Sequence, residues 1–190
     1  NTTYLSKLIT CYQESNNFKT AEDLLKNRIK QDASKVYLYV FLGYNYERQQ
    51  QQELADSNYQ KAMNSLDKNP EYSSTIGNLF KFYNLLDNAI LAFEKAMQQN
   101  PNANYNFQIA QIYGEKGDYQ RMFESYLELV DKNESYLSLV QRYASQYITD
   151  DSENETNILF KKALLRKSVS NAKNEWNILL SWLFAQQKEY

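Results

Sequence analysis

The sequence predicts an all-α fold in which antiparallel helix pairs stack as a solenoid, and three observations predict it. The 190 residues include only four glycines and two prolines, so the chain has little turn chemistry. Seventeen tyrosines and nine phenylalanines supply an unusual number of large side chains for a core. Small residues and rings also recur every 34 residues, and such a period is typical of helical repeat architectures.

The recurrence is clearest in the first half of the chain. Ala21, Ala55 and Ala89 are 34 residues apart, as are Gly43 and Gly77. A further series of large side chains keeps the same spacing: Leu25, Tyr59 and Phe93. One helix pair cannot bury both of its apolar faces alone, so each pair is expected to pack against the next. The small residues are expected where two helices press together.

This period divides the chain into a single array of five units and a half unit. The predicted bounds are approximately 2–35, 36–69, 70–102, 103–136, 137–173 and 174–190. The first unit repeats the alanine register at Ala21. Gly43 and Gly77 mark the second and third units, and Pro101 ends the third.

The last units follow the same logic with a one-residue slip. Gly117-Asp118-Tyr119 predicts the turn between the two helices of the fourth unit. The acidic run Thr149–Ser152 predicts the turn of the fifth unit and a cap for the helix after it. Large residues predict the first helix of a sixth pair: Trp176, Leu180, Phe184 and Tyr190.

The segment from Tyr39 to Tyr46, followed by Ala55 and Tyr59, resembles the tetratricopeptide pattern W-x2-L-G-x2-Y…A-x3-F. Tyr39 stands in place of the Trp. The next unit carries Ile76-Gly77-x2-Phe80, then the second-helix alanines and the terminal proline. This resemblance implies a right-handed superhelical solenoid whose concave wall, built from the first helices, receives a peptide.

The resemblance places a set of side chains on that wall. The predicted partner-binding residues are Tyr37, Tyr44, Arg48, Asn78, Lys81, Phe82, Asn104, Phe107 and Gln111. Rings supply apolar contact area and amides can pair with a peptide backbone. A single ring at helical spacing is equally well explained as core, so the prediction concerns the set.

One subclass of the family clamps a terminal carboxylate with a Lys-x-x-x-Asn pair on the first helices. The corresponding pairs here are Ser6/Thr10, Val40/Tyr44 and Ser74/Asn78, and none contains the lysine. Binding of chaperone-type acidic C-termini is therefore disfavoured.

Composition argues against several other functions. The formal net charge is -2, which leaves no basic excess for nucleic acid. The chain has no histidine and no phosphate-loop, nucleophile-elbow or paired-cysteine motif, so we predict no enzyme activity, catalytic residue, metal site or cofactor. Cys11 is the only cysteine, which excludes an intramolecular disulfide. No apolar run reaches the roughly 18–20 residues of a membrane span.

The leading prediction is thus a non-catalytic protein–protein interaction scaffold that holds a peptide or protein in its groove. An alternative is a regulatory or substrate-holding repeat region of a larger multidomain protein or enzyme. RNA binding is less favoured, because only Arg48 and Lys81 are basic among the inward positions.

The sequence further suggests a piece of a longer protein, since Asn1 is not Met and neither end resembles a capping helix. Open repeat ends would favour self-association. The richness in Asn, Lys, Tyr and Ile is similar to that of bacterial repeat proteins. The compartment stays open between the cytoplasm and the periplasm or cell envelope.

Overall fold

The computed structural model describes residues 2–187, with side chains from Tyr4 onward, so the predicted role of Tyr190 lies outside the described residues. Within this range the regular structure is entirely helical, which confirms the all-α prediction. Short 3-10 turns at Pro70–Tyr72 and Glu134–Tyr136 precede two of the helices. The α-helices are α1 (Thr2–Glu14), α2 (Phe18–Gln31), α3 (Leu38–Glu47), α4 (Gln52–Ser65), α5 (Ser73–Phe82), α6 (Leu86–Gln99), α7 (Asn106–Glu115), α8 (Tyr119–Lys132), α9 (Leu137–Ala144), α10 (Glu155–Ser170) and α11 (Asn174–Gln186).

The helices belong to two compact parts, an N-terminal half (Asn1–Ala103) and a C-terminal half (Asn104–Tyr190). The described part of the N-terminal half holds the hairpins α1/α2, α3/α4 and α5/α6. The described part of the C-terminal half holds α7/α8, α9/α10 and the further helix α11. Among these described helices, none combines the length and apolarity needed to cross a lipid bilayer.

The two helices of a hairpin approach most closely at the repeated glycines, as the sequence predicts. A Cβ atom added to Gly77 would lie 2.6 Å from Cε1 of Phe93, and one on Gly43 would meet the ring of Tyr59. Both rings are buried. The 34-residue period therefore pairs a missing side chain on the first helix with a large ring on the second.

Four successive hairpins turn through a residue in the left-handed backbone region. The residues and φ angles are Asn16 (56°), Gln50 (60°), Asn84 (60°) and Gly117 (73°). In each turn the next residue donates its N–H to a carbonyl five positions back, as Gln51 does to Tyr46 at 3.0 Å. This pattern is the Schellman motif, which satisfies carbonyls left unpaired at a helix end.

The fifth hairpin has a longer connection, and a buried asparagine holds it. The Asn157 side chain donates to the carbonyls of Thr149 (2.8 Å) and Asp151 (2.7 Å) and accepts from the N–H of Thr149 (3.1 Å). The cap of α10 is Asn154, whose side chain accepts from the N–H of Thr156 at 3.0 Å. The acidic run 149–152 forms the turn as predicted but does not supply the cap, because α10 begins only at Glu155.

Candidate functional site

The first helices of the N-terminal half, α1, α3 and α5, together line one cleft. Its volume is about 420 Å³, and no second-helix residue contributes to it. The lining side chains are Ser6, Lys7, Thr10, Cys11, Phe41, Leu79 and Phe82. We call this the first-helix cleft.

Apolar side chains dominate the first-helix cleft. Phe41 is only 1% exposed and forms part of its floor, whereas Phe82 is 65% exposed at its edge. Cys11 lies on α1 with its side chain exposed. Phe82 and Leu79 are three residues apart on α5, so both side chains lie on the same side of that helix. A large ring left this exposed is available for burial by a partner.

A buried hydrogen-bonded chain ties the three helices together beside the cleft. The Tyr83 hydroxyl donates to Oε1 of Gln13 at 3.0 Å, and Nε2 of Gln13 donates to the carbonyl of Phe41 at 2.9 Å. Tyr44 stacks on the Tyr83 ring with a centroid distance of 3.8 Å. Burial raises the pKa of Tyr83 far above its ordinary value. The hydroxyl therefore stays protonated and acts as a fixed donor.

Arg48 lies at the end of α3 with its guanidinium exposed. Its carbon Cζ is 5.9 Å from the ring centroids of both Tyr44 and Phe18. One terminal nitrogen is 3.4 Å from the Tyr44 hydroxyl, and the other is 3.5 Å from Oδ1 of Asn16. These weak contacts orient a charge that remains open to solvent.

The predicted residues of the N-terminal half have different placements. Tyr44 and Lys81 are half-buried, and Asn78 is exposed with Nδ2 3.4 Å from the Ser74 hydroxyl. Tyr37 is only 4% exposed, and its ring packs 5.8 Å from that of Tyr72. The prediction that Tyr37 faces a partner is therefore corrected. It lies at the start of α3, where the chain buries the ring under the turn at 70–72.

The other three predicted residues belong to the C-terminal half. Oδ1 of Asn104 accepts from the backbone N–H of Asn106 at 3.2 Å and from its Nδ2 at 3.0 Å, so this side chain also stabilises the start of α7. Phe107 is half-buried, and its ring packs edge-on against Tyr143 at 4.8 Å. Gln111 is half-buried one turn further along α7.

The sequence analysis missed the contribution of α1 and of Leu79 to the first-helix cleft. The 34-residue period contains the signal, since it maps Tyr44 onto Thr10 and Phe41 onto Lys7. Cys11 and Leu79 are also related by two periods. Extending the inward register to the first unit would have predicted these positions.

The described residues contain no group of three acidic or cysteine side chains arranged to hold a metal ion. The two carboxylates with the clearest partners are engaged in hydrogen bonds. Glu47 accepts from the Tyr59 hydroxyl at 2.6 Å, and Asp131 pairs with two lysines. The contacts around the first-helix cleft are those of a recognition surface.

Residues 103–135 match the family model of the tetratricopeptide repeat. This range contains α7 and α8 in full. No curated protein sequence matches the chain.

Solved structures with some likeness include MamA, PilF of Pseudomonas aeruginosa, and YrrB, described as a tetratricopeptide protein with an unusual peptide-binding site. MamA is 14% identical, with 94% of this chain and 93% of that chain covered and a TM-score of 0.43. PilF is 17% identical, with 99% and 94% covered and a TM-score of 0.43. YrrB is 11% identical, with 97% and 85% covered and a TM-score of 0.40. These scores are too low to support an argument about function.

The family match covers one hairpin, and the other hairpins have the same order of first helix, tight turn and second helix. Their repeated glycine–ring contacts and left-handed turns follow the same period. The chain is therefore a tetratricopeptide repeat protein.

Proposed function

We propose that this chain binds a peptide segment of a partner protein on its first helices, and that the first-helix cleft anchors that segment. Tetratricopeptide repeats generally act as non-catalytic scaffolds for protein–protein interaction, and the family match supports this general role. The specific proposal rests on the first-helix cleft of the N-terminal half.

The carrying observation is the exposed Phe82 ring beside the buried floor at Phe41. Covering a ring of this size with a partner side chain contributes roughly 1.5–3 kcal/mol. Apolar side chains of Cys11 and Leu79 extend the contact area within the same cleft. An aromatic or aliphatic anchor residue of the partner therefore fits best.

Polar groups around the cleft suit the backbone of an extended peptide. The exposed Asn78 amide offers both donors and an acceptor, and the Thr10 hydroxyl offers one of each. Arg48 adds an oriented positive charge at the end of α3. Such groups fix the register of a bound chain more than they add affinity.

Peptide display on the full chain, followed by affinity measurement, tests this proposal. A selected peptide is expected to lose at least about tenfold in affinity, ~1.4 kcal/mol, when Phe82→Ala removes the ring. Leu91→Ala is the matched control, because Leu91 is 55% exposed on α6 and does not line the cleft.

Circular dichroism must show that both variants keep the parent's helix content. Selected peptides that bind Phe82→Ala as tightly as the parent would contradict the proposal. Equal losses in both variants would also contradict it, since the effect would then not be specific to the cleft.

A further inference from the structure

A second cleft lies between the second helices α2 and α4, with α3 as its floor. Its volume is about 380 Å³. Tyr39, Leu42 and Tyr46 line it from α3 at spacings of three and four residues, so they share one side of that helix. Ile29 of α2 and the 48% exposed Leu54 of α4 complete an apolar surface. We call this the second-helix cleft.

Three lysines surround the apolar floor of the second-helix cleft: Lys26, Lys30 and Lys61. All three are exposed, and no acidic side chain lines the cleft. Lys26 pairs with Glu22 on its own helix, whereas Lys30 and Lys61 form no ion pair within the described part of the chain. The cleft thus carries an uncompensated positive charge.

Ring contacts hold two of these charges over the cleft. The Lys26 ammonium lies 5.8 Å from the Tyr46 centroid, and the Lys61 ammonium lies 5.9 Å from the Tyr39 centroid. Such cation–π contacts restrict long side chains at modest cost. They also cover the rings, so the rings are not free to stack on the bases of a single-stranded nucleic acid.

The next repeat shows that this charge is not a requirement of the fold. An equivalent cleft of about 760 Å³ lies between α4 and α6. There Gln60 and Asn64 occupy the positions of Lys26 and Lys30, 34 residues later. Its lining also includes three acidic side chains, those of Glu47, Asp56 and Glu94. Two clefts of the same architecture therefore differ in the sign of their charge.

We infer that the second-helix cleft is a separate docking site for an acidic amphipathic helix of a partner protein. Its apolar ridge would lie on Leu42 and Leu54, and its carboxylates would face the lysines. The 14 residues of α4 span about 21 Å, which matches a partner helix of about four turns. Attraction between these charges weakens as salt rises.

The test uses a fluorescent synthetic peptide of about 14 residues, the length of α4, with Leu on one helical face and Glu on the other. Anisotropy with the full chain should show binding that weakens as salt increases. Lys30→Glu with Lys61→Glu should lower the affinity at least tenfold. Lys30→Arg with Lys61→Arg should retain it.

Matched controls separate the cleft from bulk charge and from the first-helix cleft. Lys68→Glu with Lys162→Glu makes the same change of net charge at exposed sites outside both clefts and should leave binding unchanged. Leu54→Asn copies Asn88 of the next repeat and should weaken binding through the apolar contact. Phe82→Ala should have no effect.

Several outcomes overturn this inference. They are an absence of peptide binding to the parent, equal affinity of the two charge-reversal variants, or equal binding of a peptide with Lys in place of Glu. Tighter binding of oligouridine, or of phosphatidylserine vesicles, than of the acidic peptide would assign the lysines to a nucleic acid or to a lipid surface instead.

Discussion

Gly77 shows how a single residue sets the distance between the two helices of a hairpin. Its missing side chain leaves room for the Phe93 ring, which is completely buried. Alanine is the better helix former by about 1 kcal/mol. Overpacking a closed site costs about 1–3 kcal/mol, however, and the Phe93 ring has no solvent-exposed side toward which to move. The steric term therefore outweighs the helix propensity.

We expect Gly77→Ala to lower the free energy of unfolding by about 1–2 kcal/mol. Urea unfolding followed by circular dichroism measures this difference. The same change in a Phe93→Leu background is the control, because the smaller side chain leaves room for the added methyl group. A more stable Gly77→Ala protein would show that helix propensity outweighs packing here.

At the scale of elements, the turns between paired helices follow the repeat more faithfully than their sequences do. Asn and Gly tolerate the left-handed backbone region, whereas Gln pays a larger part of its cost of about 1–2 kcal/mol. Gln50 nevertheless adopts it, with φ of 60°. Packing of α3 against α4 at Gly43 thus imposes the turn on an unfavourable residue.

Gln50→Gly is expected to raise the free energy of unfolding by about 0.5–1 kcal/mol, because relieved strain exceeds the added entropy of the unfolded chain. Thermal and urea unfolding both report it. Gln60→Gly, at an exposed position inside α4, should instead lower stability by about 1 kcal/mol. Similar losses at both positions would contradict a left-handed requirement at Gln50.

At the scale of the whole molecule, the absence of histidine determines how stability responds to pH. No side chain with an ordinary pKa between 5 and 8 is available to titrate. On the acid side, hydrogen bonds from Lys173, then Lys167, lower the pKa of Asp131 below its ordinary value of 3.8. On the alkaline side, burial raises the pKa of Tyr59, Tyr83 and Tyr126 far above 10.0.

The signs follow from proton binding in the two states. The unfolded chain takes up the Asp131 proton at higher pH than the folded chain, so this stabilisation is complete above 3.8 and is lost as pH falls through the lower folded pKa. The unfolded tyrosines release their protons first, so stability falls as pH rises above 10.0.

We therefore expect the free energy of unfolding to be nearly constant from pH about 5.5 to 9 and to fall on both sides. Urea midpoints across this range measure it. Asp131→Asn should lower the midpoint at pH 6, and its difference from the parent should shrink below pH 3.8. A marked change of stability between pH 6 and 8 would contradict this profile.

The sequence by itself determined the all-α class, the 34-residue hairpin register and the glycine–ring pairing, because periodicity and residue size are local properties of the chain. It also indicated the first helices as the candidate binding wall, through Tyr44, Asn78 and Phe82. Burial decided the rest, because burial depends on neighbours from other repeats. Only the tertiary structure placed Tyr37 in the core, brought Lys7 and Cys11 beside Phe82, and gathered three lysines from α2 and α4 around one apolar floor.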